Sequence, residues 1–202
     1  NQKYAPFEKK IPGDWSSATF PLCAAAMTGS DVMITGVDIN DSQGDRAVVG
    51  MLKRMGANIT ILDDGLQVRG SELIGCEFDM GNTPDALPAM AVIGCVAEGE
   101  THLLNVSQAR IKETDRIKIM TEELKKMGAD IEELEDGLII KSSKLQGAKV
   151  CGHNDHRVVM ALSLAGLISE GQTEIDTAES IDVTFPGYVE VMQNIKANMQ
   201  LV

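Results

Sequence analysis

The chain has 202 residues and is 44% hydrophobic, which is enough apolar material for a sizeable core in one large domain or in two small ones. Acidic residues outnumber basic ones by 30 to 18 and aromatic residues make up only 3%, which argues against nucleic acid as the main partner. We expect no membrane span and no secretory leader, because the apolar runs are too short. The four cysteines lack metal-ligand spacing, which indicates reduced thiols in a cytoplasmic protein.

Along the first half of the chain, the pattern of apolar residues predicts helices alternating with short strands. The predicted elements are an all-apolar helix over 16–27, a strand over 32–37, an amphipathic helix over 46–55, a hairpin with strands over 58–62 and 66–69, a buried helix over 86–97 and a strand over 101–106. The amphipathic helix places Val48, Leu52 and Met55 at helical spacing and ends at Gly56. The turn Asp63-Asp64-Gly65 is typical of a hairpin.

These elements repeat with a period of about seventy residues. Met55-Gly56-Ala57 recurs as Met127-Gly128-Ala129, and Gly99-Glu100-Thr101 recurs as Gly171-Gln172-Thr173, in both cases 72 positions later. The second copy has its own amphipathic helix up to Met127, a hairpin around 136–137 and a buried helix over 158–167. Repetition at this period indicates that each copy is one α/β unit.

A third copy is divided between the two ends of the chain. Its buried helix is the one over 16–27, and its amphipathic helix begins near Phe185-Pro186-Gly187 and includes Met192, Ile195 and Met199. We therefore expect the third hairpin to be missing here and to be supplied from elsewhere. Three units about a pseudo-threefold axis bury three apolar helices centrally and place sheets outside them, as a single globular domain over 1–202.

Polar and charged residues stand at the predicted helix starts. Lys112-Glu113-Thr114-Asp115-Arg116 precedes one helix and Asn154-Asp155-His156-Arg157 precedes another. Helix N-termini carry unpaired N–H groups and a positive dipole end, so two of them facing one cleft can bind a multiply charged small molecule. The alternatives are structural: Asp45, Asp115 and Asp155 are good N-cap types, and the first cluster can be a surface ion-pair group.

Five motifs resemble, in order and approximate spacing, the C-terminal half of the 5-enolpyruvylshikimate-3-phosphate synthase family. They are Gly13-Asp14 with Ser16-Ser17-Ala18, Pro84-Asp85-Ala86, the segment from Lys112 to Arg116, the segment from Asn154 to Arg157, and Thr184-Phe185-Pro186-Gly187-Tyr188. The resemblance covers essentially the whole chain. It implies one half of the enolpyruvyl transferase fold, an inside-out α/β barrel of three βαβαββ units.

The resemblance also implies a reaction and its partners. The family transfers the enolpyruvyl group of phosphoenolpyruvate to the 5-hydroxyl of shikimate 3-phosphate and releases phosphate, on the way to aromatic amino acids, with no cofactor and no metal. The N-terminal domain of the same enzyme is the implied partner, and the extreme N-terminal segment of the family crosses over to this domain. We expect these 202 residues to fold but not to turn over alone.

The same resemblance assigns roles to seven residues. Asp85 is implied to contact the 5-hydroxyl and to accept its proton, and Glu113 is implied to move a proton to and from the enolpyruvyl methylene carbon. Addition followed by elimination requires one group that takes the hydroxyl proton and a second group that protonates the carbon and later removes that proton. The residues implied to bind substrate are Gln108, Lys112, Arg116, His156 and Arg157, of which the two arginines suit carboxylate and phosphate because of their planar guanidinium forks.

Two positions depart from the family pattern. Gln108 stands where many relatives have asparagine, and Asp182-Val183 stands where many relatives have a lysine before Thr-Phe-Pro. The second departure removes a cation that in those relatives contacts phosphoenolpyruvate, whose place the inhibitor glyphosate occupies, so these affinities do not carry over from the family. Alternative functions are a sister transferase acting on a nucleotide sugar, a non-enzymatic module that binds phosphate-bearing ligands or a partner protein, and, more remotely, an RNA 3′-phosphate cyclase-like protein.

Overall fold

The structure, a computed structural model, describes residues 2–8 and 11–202 and alternates helices with short strands. Its elements are α1 (Trp15–Met27), β1 (Asp31–Thr35), α2 (Ala47–Arg54), β2 (Asn58–Leu62), β3 (Gly65–Arg69), β4 (Glu77–Asp79), α3 (Leu87–Val96), β5 (Glu100–Leu104), α4 (Arg116–Lys126), β6 (Asp130–Leu134), β7 (Gly137–Lys141), β8 (Lys149–Val150), α5 (His156–Ile168), β9 (Glu174–Ile175) and α6 (Tyr188–Asn194). Four 3-10 turns, Gly44–Arg46, Pro84–Ala86, Ser107–Ile111 and Ala178–Val183, precede helices.

The strands form three sheets. The first has the order β1-β3-β2 and is antiparallel, with Val68 of β3 opposite both Val32 and Ile59. The second has the order β4-β5-β7-β6, in which β4 and β5 are parallel and the other pairs antiparallel. The third consists of β8 and β9, which are parallel.

The sheets define the boundaries of the repeated unit. The second unit runs from β4 to β7 in the order βαβαββ and forms one four-stranded sheet. The third unit runs from β8 through α5 and β9 to α6, and no hairpin follows in the described part of the chain. The expected missing hairpin therefore belongs to the unit that begins at β8. The sequence prediction instead placed α1 and α6 in one copy that is divided between the two ends of the chain. In the structure β1 pairs with β3, so α1 and β1 belong to the first unit.

Three apolar helices form the centre of the molecule. Helices α1, α3 and α5 contact one another in all three pairings, and Leu22, Ile93 and Leu162 are fully buried there. The predicted helical interior is confirmed, with the sheets packed outside it. None of the helices in residues 2–8 and 11–202 combines the length and the hydropathy needed to span a bilayer.

Two details differ from the sequence prediction. Strands β4 and β8 were not predicted, because they are only three and two residues long and depend on pairing with β5 and β9. Helix α6 ends at Asn194, before Met199. The cause is a C-terminal cap in which Lys196 adopts a positive φ of 73° and the Ala197 N–H donates to the Met192 carbonyl at 3.0 Å.

A groove of about 1360 Å³ lies beside the short third sheet. Residues of α1, α5 and α6 line it together with both strands of that sheet, and Leu167, Val189 and Ile195 contribute apolar surface. Strand β9 pairs with β8 on one side, and no other described strand pairs with it. By comparison with the second sheet, the missing hairpin would continue the sheet along this groove.

Candidate functional site

The starts of three helices meet at one place. The 3-10 turn Pro84–Ala86 leads into α3 and carries Asp85, Arg116 is the first residue of α4, and Asp155 caps α5. Helix α3 contacts both α4 and α5, and α4 also contacts α5. Side chains that are distant in sequence are therefore brought within hydrogen-bonding distance of one another.

Arg116 lies at the centre of this cluster and is completely buried. Its Nε donates to Asp155 Oδ2 at 2.8 Å, and its Nη2 donates to Asp155 Oδ1 at 3.1 Å. Its Nη1 donates to Asp85 Oδ1 at 2.7 Å, and Nη2 also donates to Glu113 Oε2 at 2.5 Å. A buried guanidinium requires such partners, because an unpaired charge in the interior is strongly destabilising. Asp85, Glu113 and Asp155 supply them.

Asp85 connects the buried arginine to two further cations. Lys112 Nζ lies 3.2 Å from Asp85 Oδ1, and Arg157 Nη2 lies 3.5 Å from Asp85 Oδ2. Burial opposes ionisation of this carboxyl, but the charges of Arg157, Lys112 and Arg116 prevail and hold the pKa of Asp85 below its usual range. Asp85 is therefore ionised at neutral pH. It can accept a proton, although it is a weaker base than a free carboxylate.

Glu113 is the most exposed member of the cluster, whereas His156 and Arg157 are largely buried. The Glu113 side chain is 46% exposed, and its Oε1 lies 3.9 Å from His156 Nδ1. Burial, reinforced by the positive charge of Arg157, lowers the pKa of His156, so its imidazole is neutral at pH 7. The Arg157 side chain is only 12% exposed, and Asp85 is the one carboxylate within 4 Å of it among the described residues.

Six of the seven predicted site residues thus lie in one contact network, namely Asp85, Lys112, Glu113, Arg116, His156 and Arg157. The seventh, Gln108, lies beside it, and its Nε2 donates to the Gly81 carbonyl at 2.5 Å. Gln108 therefore steadies the loop that leads to Asp85. The roles of all seven in binding or catalysis remain predictions.

Asp155 is a site residue that the sequence analysis treated only as a helix cap. It does cap α5, accepting from the Arg157 N–H at 2.9 Å, and it also binds Arg116 through both carboxylate oxygens. Thr114, also unassigned, donates its hydroxyl to Asp155 Oδ2 at 2.9 Å. The repeat could have identified Asp155 as a site residue, because it stands 70 positions after Asp85, at the start of the equivalent helix.

The other two predicted helix caps have different outcomes. Asp115 accepts from the Lys118 N–H at 3.0 Å, which confirms it as the cap of α4. Asp45 makes no side-chain cap bond to its helix, so its assignment as a cap is wrong. It is buried and accepts a hydrogen bond from the Ser16 hydroxyl instead. Ser16 lies in the first turn of α1, which is capped by Asp14.

Acid stability should depend on Asp155. Burial tends to raise the pKa of this carboxyl, but its hydrogen bonds and attraction to Arg116 outweigh that and lower it. The stabilisation from its ionised form is fully present above the ordinary aspartate pKa of about 3.9 and is lost as the pH falls through the lower folded-state pKa. Urea denaturation of Asp155→Asn should therefore show a shallower loss of stability with acid than the unaltered chain. An identical slope in both proteins would contradict this assignment.

Comparison with known proteins places the chain in a family. The family model for EPSP synthase (3-phosphoshikimate 1-carboxyvinyltransferase) matches residues 1–192. The 3-phosphoshikimate 1-carboxyvinyltransferase of Acetivibrio thermocellus is 54% identical over 198 residues, which are 98% of this chain and 47% of the relative. The enzyme of the same name from Ruminiclostridium cellulolyticum is 53% identical over 201 residues, which are 100% of this chain and 48% of the relative.

Solved structures agree in fold. A 2.37 Å structure of EPSP synthase from Acinetobacter baumannii matches with a TM-score of 0.84 and 33% identity, over 92% of this chain and 46% of that one. The enolpyruvyl transferase NikO from Streptomyces tendae, at 20% identity and a TM-score of 0.73, shares the fold over 94% of this chain and 44% of that one. The chain spans about half the length of the relatives it matches. On the family model and these relatives, the chain belongs to the EPSP synthase family.

Proposed function

We propose that this chain provides the C-terminal half of an active site that transfers the enolpyruvyl group of phosphoenolpyruvate to the 5-hydroxyl of shikimate 3-phosphate and releases phosphate. The observation that carries the proposal is the network of Asp85, Glu113 and Arg116 beside Arg157, at the point where three helices begin. It combines anion-binding cations with two carboxylates that can move protons. Family membership supplies the reaction.

Arg157 is the cation best placed to bind an anionic substrate. Four N–H groups of Arg116 already donate to carboxylates, whereas Arg157 has a single carboxylate within 4 Å in the described part of the chain, at 3.5 Å. A phosphate or carboxylate can therefore dock on the free fork of Arg157 without breaking an existing ion pair. Arg116 can join it by exchanging Glu113 for the substrate. The neutral His156 adds a polar wall without a competing charge.

Two carboxylates divide the proton transfers between them. In the addition step, the 5-hydroxyl oxygen bonds to C2 of phosphoenolpyruvate, its proton passes to Asp85, and Glu113 protonates C3. In the elimination step, Glu113 removes a proton from C3 while the bond from C2 to the phosphate oxygen breaks. Lys112 Nζ lies 3.2 Å from Asp85 Oδ1, so Lys112 can help to transfer the proton from Asp85 to the departing phosphate. The open position of Glu113 suits a group that must first give a proton and then take one back.

The proposal includes a partner, because the matched relatives are about twice the length of this chain. The N-terminal domain of the synthase would cover the charged cluster and exclude water from it during the reaction. An N-terminal segment of the same partner would supply the hairpin that continues the third sheet along β9. The groove of about 1360 Å³ and the unpaired side of β9 in the described chain support this. We place the complete enzyme in the cytoplasm.

Complementation tests the proposed function. The chain is mixed with, or fused to, the part of the Acetivibrio thermocellus relative that lies outside the match, and phosphate release is measured with phosphoenolpyruvate and shikimate 3-phosphate. We expect release only when both halves and both substrates are present. Turnover by this chain alone would refute the half-site proposal. A folded complex of the two halves that releases no phosphate would refute the assigned reaction.

A further inference from the structure

The 112–115 segment carries two of the proposed site residues and has no regular secondary structure. It joins the end of a 3-10 turn to the start of α4. Ile111, which precedes it, is 84% exposed, and Lys112 and Glu113 are exposed as well. Apolar packing therefore does little to fix this segment, so its conformation depends on the polar contacts that it makes.

The side chains of Asp115 and Thr114 attach this segment to the rest of the protein. Asp115 Oδ2 accepts from Arg110 Nη1 at 2.8 Å, which ties the two ends of the segment together. Arg110 is itself fixed, because it donates to two backbone carbonyls in the hairpin of β6 and β7. Thr114 donates its hydroxyl to Asp155 Oδ2 at 2.9 Å, and Asp155 is completely buried. The first contact closes the segment as a loop, and the second attaches it to the interior of the site.

The Thr114 hydroxyl shares its acceptor with Arg116. Asp155 Oδ2 also accepts from Arg116 Nε, at 2.8 Å, so the residues on either side of Asp115 bind the same buried oxygen. Glu113 precedes Thr114 in the chain, and its Oε2 accepts from Arg116 Nη2 at 2.5 Å. Asp155 therefore fixes the position of Glu113 relative to Arg116, and it does so through Thr114 on one side and the guanidinium on the other.

The Thr114 contact gains importance when substrate binds. In the proposed function, on which this inference rests, Arg116 exchanges Glu113 for the substrate, and Glu113 then loses the ion pair that holds it. We propose that Thr114 is a positioning residue for Glu113: its hydrogen bond to Asp155 keeps the 112–115 segment in place while Glu113 gives a proton to C3 and takes one back. Proton transfer requires such control, because a small displacement of the transferring group costs much of the rate.

Thr114→Val tests this role in the complemented enzyme, because valine has the shape of threonine and lacks the hydroxyl. We expect kcat to fall about tenfold, the order of magnitude for one lost hydrogen bond to a charged group. The KM values for phosphoenolpyruvate and shikimate 3-phosphate should change far less, because Glu113 acts on substrates that are already bound. Thr114→Ser keeps the hydroxyl and should recover most of the rate.

The control is Thr121→Val on α4. The Thr121 hydroxyl is buried and donates to the Ile117 carbonyl at 2.8 Å, so this variant loses a hydrogen bond that lies within the helix. It should lower the melting temperature and leave kcat unchanged. Rates are calculated per folded complex, so that partial unfolding does not count as a loss of kcat. An unchanged kcat in Thr114→Val, or a serine variant no faster than the valine variant, would overturn the proposal.

A second measurement needs neither substrate nor partner. Backbone amide order parameters from NMR report how tightly the 112–115 segment is held. They are measured in a Glu113→Ala background, which removes the ion pair with Arg116 as substrate is proposed to do. We expect Thr114→Val to lower them at positions 112–114, whereas Thr114→Ser and Thr121→Val leave them unchanged. Equal values with and without the Thr114 hydroxyl would refute positioning. If the unaltered complemented enzyme has no turnover, the proposed function fails, and the order parameters still decide whether Thr114 holds the segment.

Discussion

Replacing Arg116 with alanine is expected to lower the free energy of unfolding by about 3–5 kcal/mol, the cost of breaking a buried ion pair by removing one partner. Arg116 is completely buried and is the shared partner of Asp155, Asp85 and Glu113. Without it, Asp155 remains buried with a negative charge whose remaining hydrogen bonds come from the Thr114 hydroxyl and from backbone N–H groups. Urea denaturation at pH 7 measures the effect.

Two controls show whether buried charge is the cause. Arg69→Ala removes an arginine from a half-exposed pair with Asp31 and should change stability little, because surface pairs are screened by water. Arg116→Met combined with Asp155→Leu removes both buried charges and should recover much of the loss seen for Arg116→Ala. A double variant as unstable as the single one would mean that packing, rather than charge, explains the role of Arg116.

Replacing Glu113 with glutamine is expected to reduce the turnover of the complemented enzyme by about 10²- to 10⁴-fold, the usual contribution of a general acid or base. Glutamine keeps the size of the side chain and can still contact Arg116, but it cannot donate and recover a proton at C3. Binding of phosphoenolpyruvate should change far less than kcat. Steady-state phosphate release with both substrates varied separates the two constants.

The matched control is Glu122→Gln on the exposed face of α4, where Glu122 makes a weak contact of 3.9 Å with Lys118. That variant should retain full turnover. If Glu113→Gln loses affinity but not rate, Glu113 orders Arg116 rather than transferring a proton. Unchanged rate and affinity would contradict the prediction and would mean that Glu113 takes no part in the reaction.

Sequence alone predicted the architecture because its signals are local and repeated. Gly56 and Gly128 end equivalent helices, and the turns before Leu66 and Leu138 close equivalent hairpins. Apolar residues on every side of α3 predicted a buried helix, and the structure buries all of its residues from Leu87 to Cys95. Helices α3 and α4 pack against each other, so the polar residues at their N-termini lie close together. The proximity of Asp85 and Arg116 could therefore be predicted from the sequence.

The partners inside the site could not be predicted in the same way. Asp155 has the sequence signature of a helix cap, and nothing in its neighbourhood indicates that Arg116, 39 positions earlier, binds it as well. Asp45 has the same signature and turns away from its helix toward Ser16, a contact across 29 positions. Such choices depend on how three-dimensional packing distributes buried charge, which local propensity does not contain.

The unpaired side of β9 also bears on how the chain behaves in solution. An open strand edge presents free N–H and C=O groups, and any extended polypeptide can extend the sheet there. In the described chain this edge borders the groove of about 1360 Å³. The described chain therefore carries a template for domain swapping or aggregation between copies, which the proposed N-terminal partner would cover.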